Sequence, residues 1–327
     1  MEEKKKDKNG IINDKLGGRH SLPIKYVRES LRETDNPVIH FLRSYPGQIV
    51  MAIVTYYLLK RIVVQKIVQT ALLPSLIGSG IVGEDKIVAL ACMTDIFMLA
   101  GFLLYMKFAE GRNADAMGFI RKDVLKNCLL GLLAGFGLFS VTMLISVFVT
   151  GGHIEWSSSI APWFFFVALF CFIIQSSAEE INGRSYIFLS VARKHPDWAS
   201  TLISGLFFGG IHLTNPGVTA VSTINTVLIG IVFCLLVLLL ENLWFVCAMH
   251  AGWNFAQGNI YGLLVSGHDA GGSLFRATIE SENELLSGGA YGVESNIITT
   301  VLFIIVVIAL VIMLKNNARH RIYSKRI

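Results

Sequence analysis

The chain has 327 residues, of which 53% are hydrophobic and 16% charged, with a formal net charge of +5 and a mean hydropathy of +0.59. Uncharged runs long enough to cross about 30 Å of hydrocarbon recur along it. This excludes a soluble globular enzyme or a nucleic-acid-binding module, and it predicts an all-α polytopic membrane protein of about eight transmembrane helices embedded in a lipid bilayer.

Residues 1–46 form a polar arm with ten Lys/Arg against seven Asp/Glu and no apolar core of a signal peptide, which reads as a cytoplasmic basic tail with a short helix near 26–34. Residues 47–315 read as one helical transmembrane domain, followed by a basic cytoplasmic tail at 316–327. From 48 to 82 the chain is apolar but broken by Lys60, Arg61 and Lys66, so this stretch fits either an interfacial helix followed by a short span or one tilted helix that snorkels its cations. Further spans are expected at 87–106, 128–149, 162–180, 200–213, 220–240, 243–265 and 297–314. The intervening segments alternate in charge. Lys107, Arg112, Arg121, Lys122 and Lys126 lie in one loop, Arg193 and Lys194 in another, and five cations lie in the tail from Lys315, whereas 150–161 and 214–219 have none. The positive-inside rule then puts both termini in the cytoplasm of a cell-membrane protein and requires an even number of spans. Cys92, Cys128, Cys171, Cys234 and Cys247 lie in apolar runs without CxxC spacing and read as small core hydrophobes.

The chemistry concentrates where the uncharged run 162–178 ends in Glu179 and Glu180, with Arg184 one turn on. Ionisable groups within a membrane are functional-site candidates by default. If the fourth helix continues to Arg193, Glu179 lies about 21 Å along it, His212 about 20 Å along the returning helix from Ala199, and His250 and Asn254 about 12 and 18 Å from Asn242. Helices four to seven thus carry Glu, His, His and Asn to comparable depths. His250 and Asn254 share a face, as do Glu180 and Arg184, while Glu179 points about 100° away from Glu180. Glu180 and Arg184 therefore read as an internal ion pair, which leaves Glu179 to face a cavity. Gly205, Gly209 and Gly210 are expected to let helices approach closely beside His212. Asp95 and Asn225 read as structural polar contacts.

The strings EEINGR at 179–184, FGGIH at 208–212 and HAGWN at 250–254 resemble, in order and separation, the motifs E-E-x-x-x-R, F-x-x-x-H and H-x-x-x-N of the CAAX prenyl protease and bacteriocin-processing family. The resemblance covers about residues 160–260, the protease-like core, and GFIRKD at 118–123 is similar to the loop that often precedes it. It implies an intramembrane endopeptidase of the Ras-converting-enzyme kind, acting on a membrane-associated peptide or protein: a prenylated CAAX protein, a peptide pheromone or a bacteriocin precursor in self-immunity. Glu179 and His212 would then activate water, His250 and Asn254 would stabilise the oxyanion, and Glu180, Arg184 and Phe208 would support them. No cofactor is required by that scheme, although Glu179, His212 and His250 are also a donor set for zinc. Two other classes stay open from the residues alone: a non-proteolytic scaffold or immunity protein that binds a partner membrane protein, and a proton-coupled transporter.

Overall fold

Helix boundaries follow the breakers in the sequence. The computed structural model describes residues 24–27, 41, 44–55, 75, 95–157 and 161–324. In chain order its principal helices are α1 (Tyr45–Thr55), α2 (Asp95–Phe108), α3 (Val124–Thr150), α4 (Pro162–Glu180, prolonged through Ile181–Phe188 and Leu189–Ala192), α5 (Asp197–Ile211), α6 (Ala220–Leu240), α7 (Leu243–Phe255, prolonged through Ala256–Ile260) and α8 (Ile297–Ser324). Helix α3 stops at Gly151, whose φ of 74° suits a residue without Cβ. Pro162 opens α4 at a position where its missing N–H is no loss. Helix α6 starts from a reciprocal capping box between Thr219 and Ser222, and Asn242 caps α7 by accepting from the Trp244 amide at 2.8 Å.

Among the described residues four helices, Val124–Thr150, Pro162–Ala192, Ala220–Leu240 and Ile297–Asn317, are long and apolar enough to cross a membrane. The chain is accordingly a multi-pass helical membrane protein. Two further expected spans are shorter than their apolar runs suggest. Helix α5 has 15 residues and ends at Ile211, with His212 as its C-cap. Helix α7 has 13 and gives way to a five-residue π-helical turn, after which Gly262 takes φ 67° and the chain turns back. Residues 87–94 and most of 48–82 lie outside the described residues, as does most of the N-terminal arm.

A second departure from the all-helical reading is a two-stranded antiparallel sheet. Strand β1 (His153–Trp156) pairs with β2 (Phe275–Thr278) in the register His153 to Thr278 and Trp156 to Phe275, joining the α3–α4 connection to the long segment after α7.

Close approach of backbones holds the core. Helix α3 packs on α7 through Gly131, Gly135 and Gly252, where an added Cβ would overlap the carbonyls of Phe245, Met249 and Leu132 respectively. On the other side Gly205 and Gly209 of α5 face Ile231 and Val227 of α6 as the sequence suggests, but Gly210 has open space beside it. Leu129, Leu133, Leu144 and Phe148 of α3 and Ile304, Ile305, Ile308 and Ile312 of α8 are exposed. In a bilayer these faces meet acyl chains rather than water.

Candidate active site

The carboxylate pair stands where α4 changes its winding. Residues Ile181–Phe188 form a π-helical segment, a geometry that recurs at functional sites because it re-aims side chains and loosens the backbone ladder. Groups from two neighbouring elements hold this segment. Arg112, in the loop after α2, donates from Nη1 to the Ser185 carbonyl at 2.9 Å and from Nη2 to Ser190 Oγ at 2.5 Å, and its Nε lies 2.6 Å from Glu110 Oε2. Gln48 of α1 donates to Glu110 Oε1 at 3.1 Å, while Ser204 of α5 donates to the Gly183 carbonyl at 2.8 Å. Glu179, Glu180 and Arg184 are all buried at this junction.

Glu180 does not belong to Arg184 alone, as the i, i+4 spacing suggests. Its Oε2 is 3.1 Å from Arg184 Nε in a contact not aligned as a hydrogen bond, and its Oε1 accepts from His250 Nδ1 at 2.9 Å. The Arg184 guanidinium instead spends its faces on two rings, 4.2 Å from the centroid of Phe208 and 4.9 Å from that of Phe233. Those rings also flank the histidines: Phe208 lies 4.7 Å from His212, and Phe233 5.3 Å from His250. Glu180, Arg184, Phe208, Phe233 and His250 therefore form one buried stack, with Glu180 as its negative centre.

The second carboxylate has a different neighbour. Glu179 Oε2 lies 3.7 Å from His212 Nε2, beyond direct hydrogen-bond range and at the separation where a bridging water has to be considered. His212 Nδ1 is 2.7 Å from the Phe208 carbonyl. A carbonyl can only accept, so Nδ1 carries the proton and, in the neutral ring, Nε2 presents a lone pair toward Glu179. Two acceptors thus face each other across a short gap. By the same logic His250 gives its Nδ1 proton to Glu180, so its Nε2 becomes a donor only when the ring is an imidazolium.

Asn254 is oriented by a residue the sequence reading passed over. Its Nδ2 donates to Gln175 Oε1 at 3.0 Å, which fixes the amide and leaves the second N–H for another acceptor. Gln175 sits one turn before Glu179 on the same face of α4, and that i, i+4 relation was the available signal. His212, His250 and Asn254 line a small cavity of about 30 Å³, walled by rings including Phe208 and Phe233, whereas Glu179, expected to face a cavity, is not among the residues that line it. Its far side comes from the segment after α7: Ser266 and Glu294 line the same cavity, although nothing in their sequence surroundings marked them. Asn225 lines it as well, and donates to the Glu294 and Asn296 carbonyls at 2.7 and 3.0 Å, the structural contact expected of it.

A zinc site would need Glu179, His212 and His250 to converge. Both rings have the Nδ1 partner typical of metal-bound histidine, a backbone carbonyl for His212 and a carboxylate for His250. Even so, among the described residues no three His, Cys, Asp or Glu side chains come near enough to hold a metal ion. The donor set does not fit a three-residue zinc site in this arrangement.

Residues 161–256 match the family described as type II CAAX prenyl endopeptidase Rce1-like, a segment that contains all seven motif residues. No curated protein and no solved structure matches the chain. The family match supports the CAAX prenyl protease and bacteriocin-processing family.

Proposed function

From the family of residues 161–256, we propose that the chain is an intramembrane endopeptidase that hydrolyses a peptide bond in a membrane-associated peptide or protein. The observation that carries this reading is the pair of facing acceptors, Glu179 Oε2 and His212 Nε2, 3.7 Å apart, with His212 lining the same cavity as His250 and Asn254. A water placed between two acceptors donates one hydrogen to each and keeps a lone pair for attack. Glu179 then takes the proton as the oxygen adds to the scissile carbonyl, and returns it to the leaving amine nitrogen as the C–N bond breaks. The second N–H of Asn254, together with Nε2–H of His250 in its imidazolium form, serves the developing oxyanion, and Glu180 balances that imidazolium. Arg184 lies against Glu180 as its countercharge, and Phe208 carries both His212, through its carbonyl, and Arg184, through its ring. In this scheme the metal-independent glutamate route is the one the residues can run by themselves.

Substrates of this site are extended peptides entering from the bilayer, whether from CAAX processing, pheromone maturation or bacteriocin self-immunity. The deciding experiment compares the purified protein in detergent with its Glu179→Gln variant on a peptide panel. Glu179→Gln keeps the shape and removes the base, so hydrolysis should fall by about 100- to 10,000-fold with folding intact. A folded Glu179→Gln protein that cleaves at the parental rate would move the weight to a partner-binding scaffold. Chelation separates the two chemistries: activity that vanishes with 1,10-phenanthroline and returns with zinc refutes the metal-independent route.

The same reading includes eight spans with both termini in the cytoplasm, supported by the cation-rich loop 107–126 and the cation-free loops 150–161 and 214–219. Single cysteines at Ser157, Glu282 and Ser324 in a cysteine-free background test it. The first two should react with an impermeant reagent in intact cells, and reaction of the third would refute the topology.

A further inference from the structure

The loop between α2 and α3 lies outside residues 161–256, yet it holds two of the three helices that carry the site. Its own shape is fixed from within. The Arg112 amide donates to the Met106 carbonyl at 2.9 Å, the Ala116 amide to Asn113 Oδ1 at 2.8 Å and the Phe119 amide to the Ala114 carbonyl at 2.9 Å. A single 3-10 turn, Asp115–Met117, buries Ala116 and Met117 and ends on Gly118 at φ 90°.

Toward α4 the loop extends Arg112, which is buried with its countercharge Glu110. One arm of the guanidinium bonds the Ser185 carbonyl and the other Ser190 Oγ. These two residues stand on either side of Leu189, where π winding returns to α, so the fork fixes the far end of the rewound segment that starts directly after Glu180. Toward α7 the loop offers the Gly118 carbonyl, which accepts from the Leu243 amide at 2.8 Å, and sets Phe119 edge-on to Trp244 with ring centroids 4.6 Å apart. The fit at this corner is tight. A Cβ on Gly118 would stand 3.3 Å from Leu243 Cβ and 3.6 Å from Leu189 Cδ1, one atom on each helix.

At the site α4 and α7 are joined by two hydrogen bonds, His250 to Glu180 at 2.9 Å and Asn254 to Gln175 at 3.0 Å. Both depend on axial register, since a slip of one residue moves a side chain by about 1.5 Å, against a tolerance of about 0.5 Å for a working constellation.

We propose that the loop 109–120 is a brace that sets the register of α4 against α7, and that Arg112 is the positioning residue through which it aims Glu179 and Glu180. The kinetic half of the test rests on the endopeptidase reading; hydrogen exchange supplies a half that needs no cleavage. Arg112→Lys keeps a charge beside Glu110, but one ammonium cannot reproduce the planar fork. In the full chain purified in detergent it should lower kcat by about 10- to 100-fold, with KM held within about twofold. Amide exchange should rise by about tenfold or more at residues 181–190 and stay at the parental rate in α6 and α8. Glu110→Gln with Arg112→Met removes the pair without leaving a buried charge and should show the same pattern. Raised local exchange in a protein whose parent cleaves no peptide retains the brace and removes the endopeptidase. Cleavage by both variants at the parental kcat overturns the brace and retains the endopeptidase. Parental exchange at 181–190 in both variants overturns the brace whatever the rates. Exchange raised throughout the molecule, with activity lost only as the folded fraction falls, overturns it too, since Arg112 is then a stabilising contact and aims nothing.

Discussion

Replacing Arg184 by methionine removes the guanidinium and keeps a long unbranched chain against Phe208 and Phe233, so it isolates charge from volume. Glu180 then stays buried with His250 as its partner. Breaking a buried ion pair costs about 3–5 kcal/mol, and the 3.1 Å contact to Glu180, unaligned as a hydrogen bond, belongs at the lower end. Two desolvated ring contacts, at 4.2 and 4.9 Å, add about 2 kcal/mol between them, of which the methionine sulfur returns about 1 kcal/mol. The net loss is about 4 kcal/mol. Thermal unfolding in detergent should register it as a fall of about 8–16 °C, taking about 2–4 °C per kcal/mol for a domain of this order of size. Neutralising the partner as well gives the sharper test. Glu180→Gln with Arg184→Met leaves no uncompensated charge, so the double variant should recover most of the loss and show a coupling of several kcal/mol in the cycle. An Arg184→Met protein within about 2 °C of the parent, on the same scale, would refute the argument. A double variant less stable than Arg184→Met would refute it as well.

Two further substitutions probe the scaffold and the site. Gly135→Ala drives a methyl into the Met249 carbonyl and should destabilise by about 1–3 kcal/mol or more, whereas Gly137→Ala, on the same helix with nothing near it, should stabilise by about 0.5–1 kcal/mol; equal melting temperatures for the two would refute the close-packing argument. Gln175→Ala releases the Asn254 amide and should slow hydrolysis by about tenfold, less than the 100-fold or more expected from Asn254→Ala as loss of an oxyanion donor, and an unchanged rate would remove Gln175 from the site.

The helical membrane class was legible in the sequence, and helix spacing placed Glu179, Glu180, Arg184, His212, His250 and Asn254 where they could converge. What escaped depends on departures from the regular helix. The i, i+4 rule pairs Glu180 with Arg184 on an α-helical rail, but α4 rewinds after Glu180, and a histidine from another helix shares the carboxylate. Long-range partners such as Gln175 for Asn254 leave no periodic trace across a separation of 79 residues. Strands β1 and β2 are four residues each and draw their order from one another, so neither announces itself alone. Glu294 resembles any loop carboxylate until the chain folds back and sets it beside Trp253.

The shortness of α5 bears on the lipid as much as on the enzyme. Fifteen residues span about 22 Å, well under the thickness of a typical hydrocarbon core, yet Leu202, Leu206 and Leu213 are exposed on or just beyond it. A bilayer that wets this face has to pinch inward beside His212, and the mismatch costs a fraction of a kcal/mol for every ångström. Such a dent would bring headgroups and their hydration toward the buried carboxylates, and in thicker membranes it would be harder to make, so lipid composition would set the water supply.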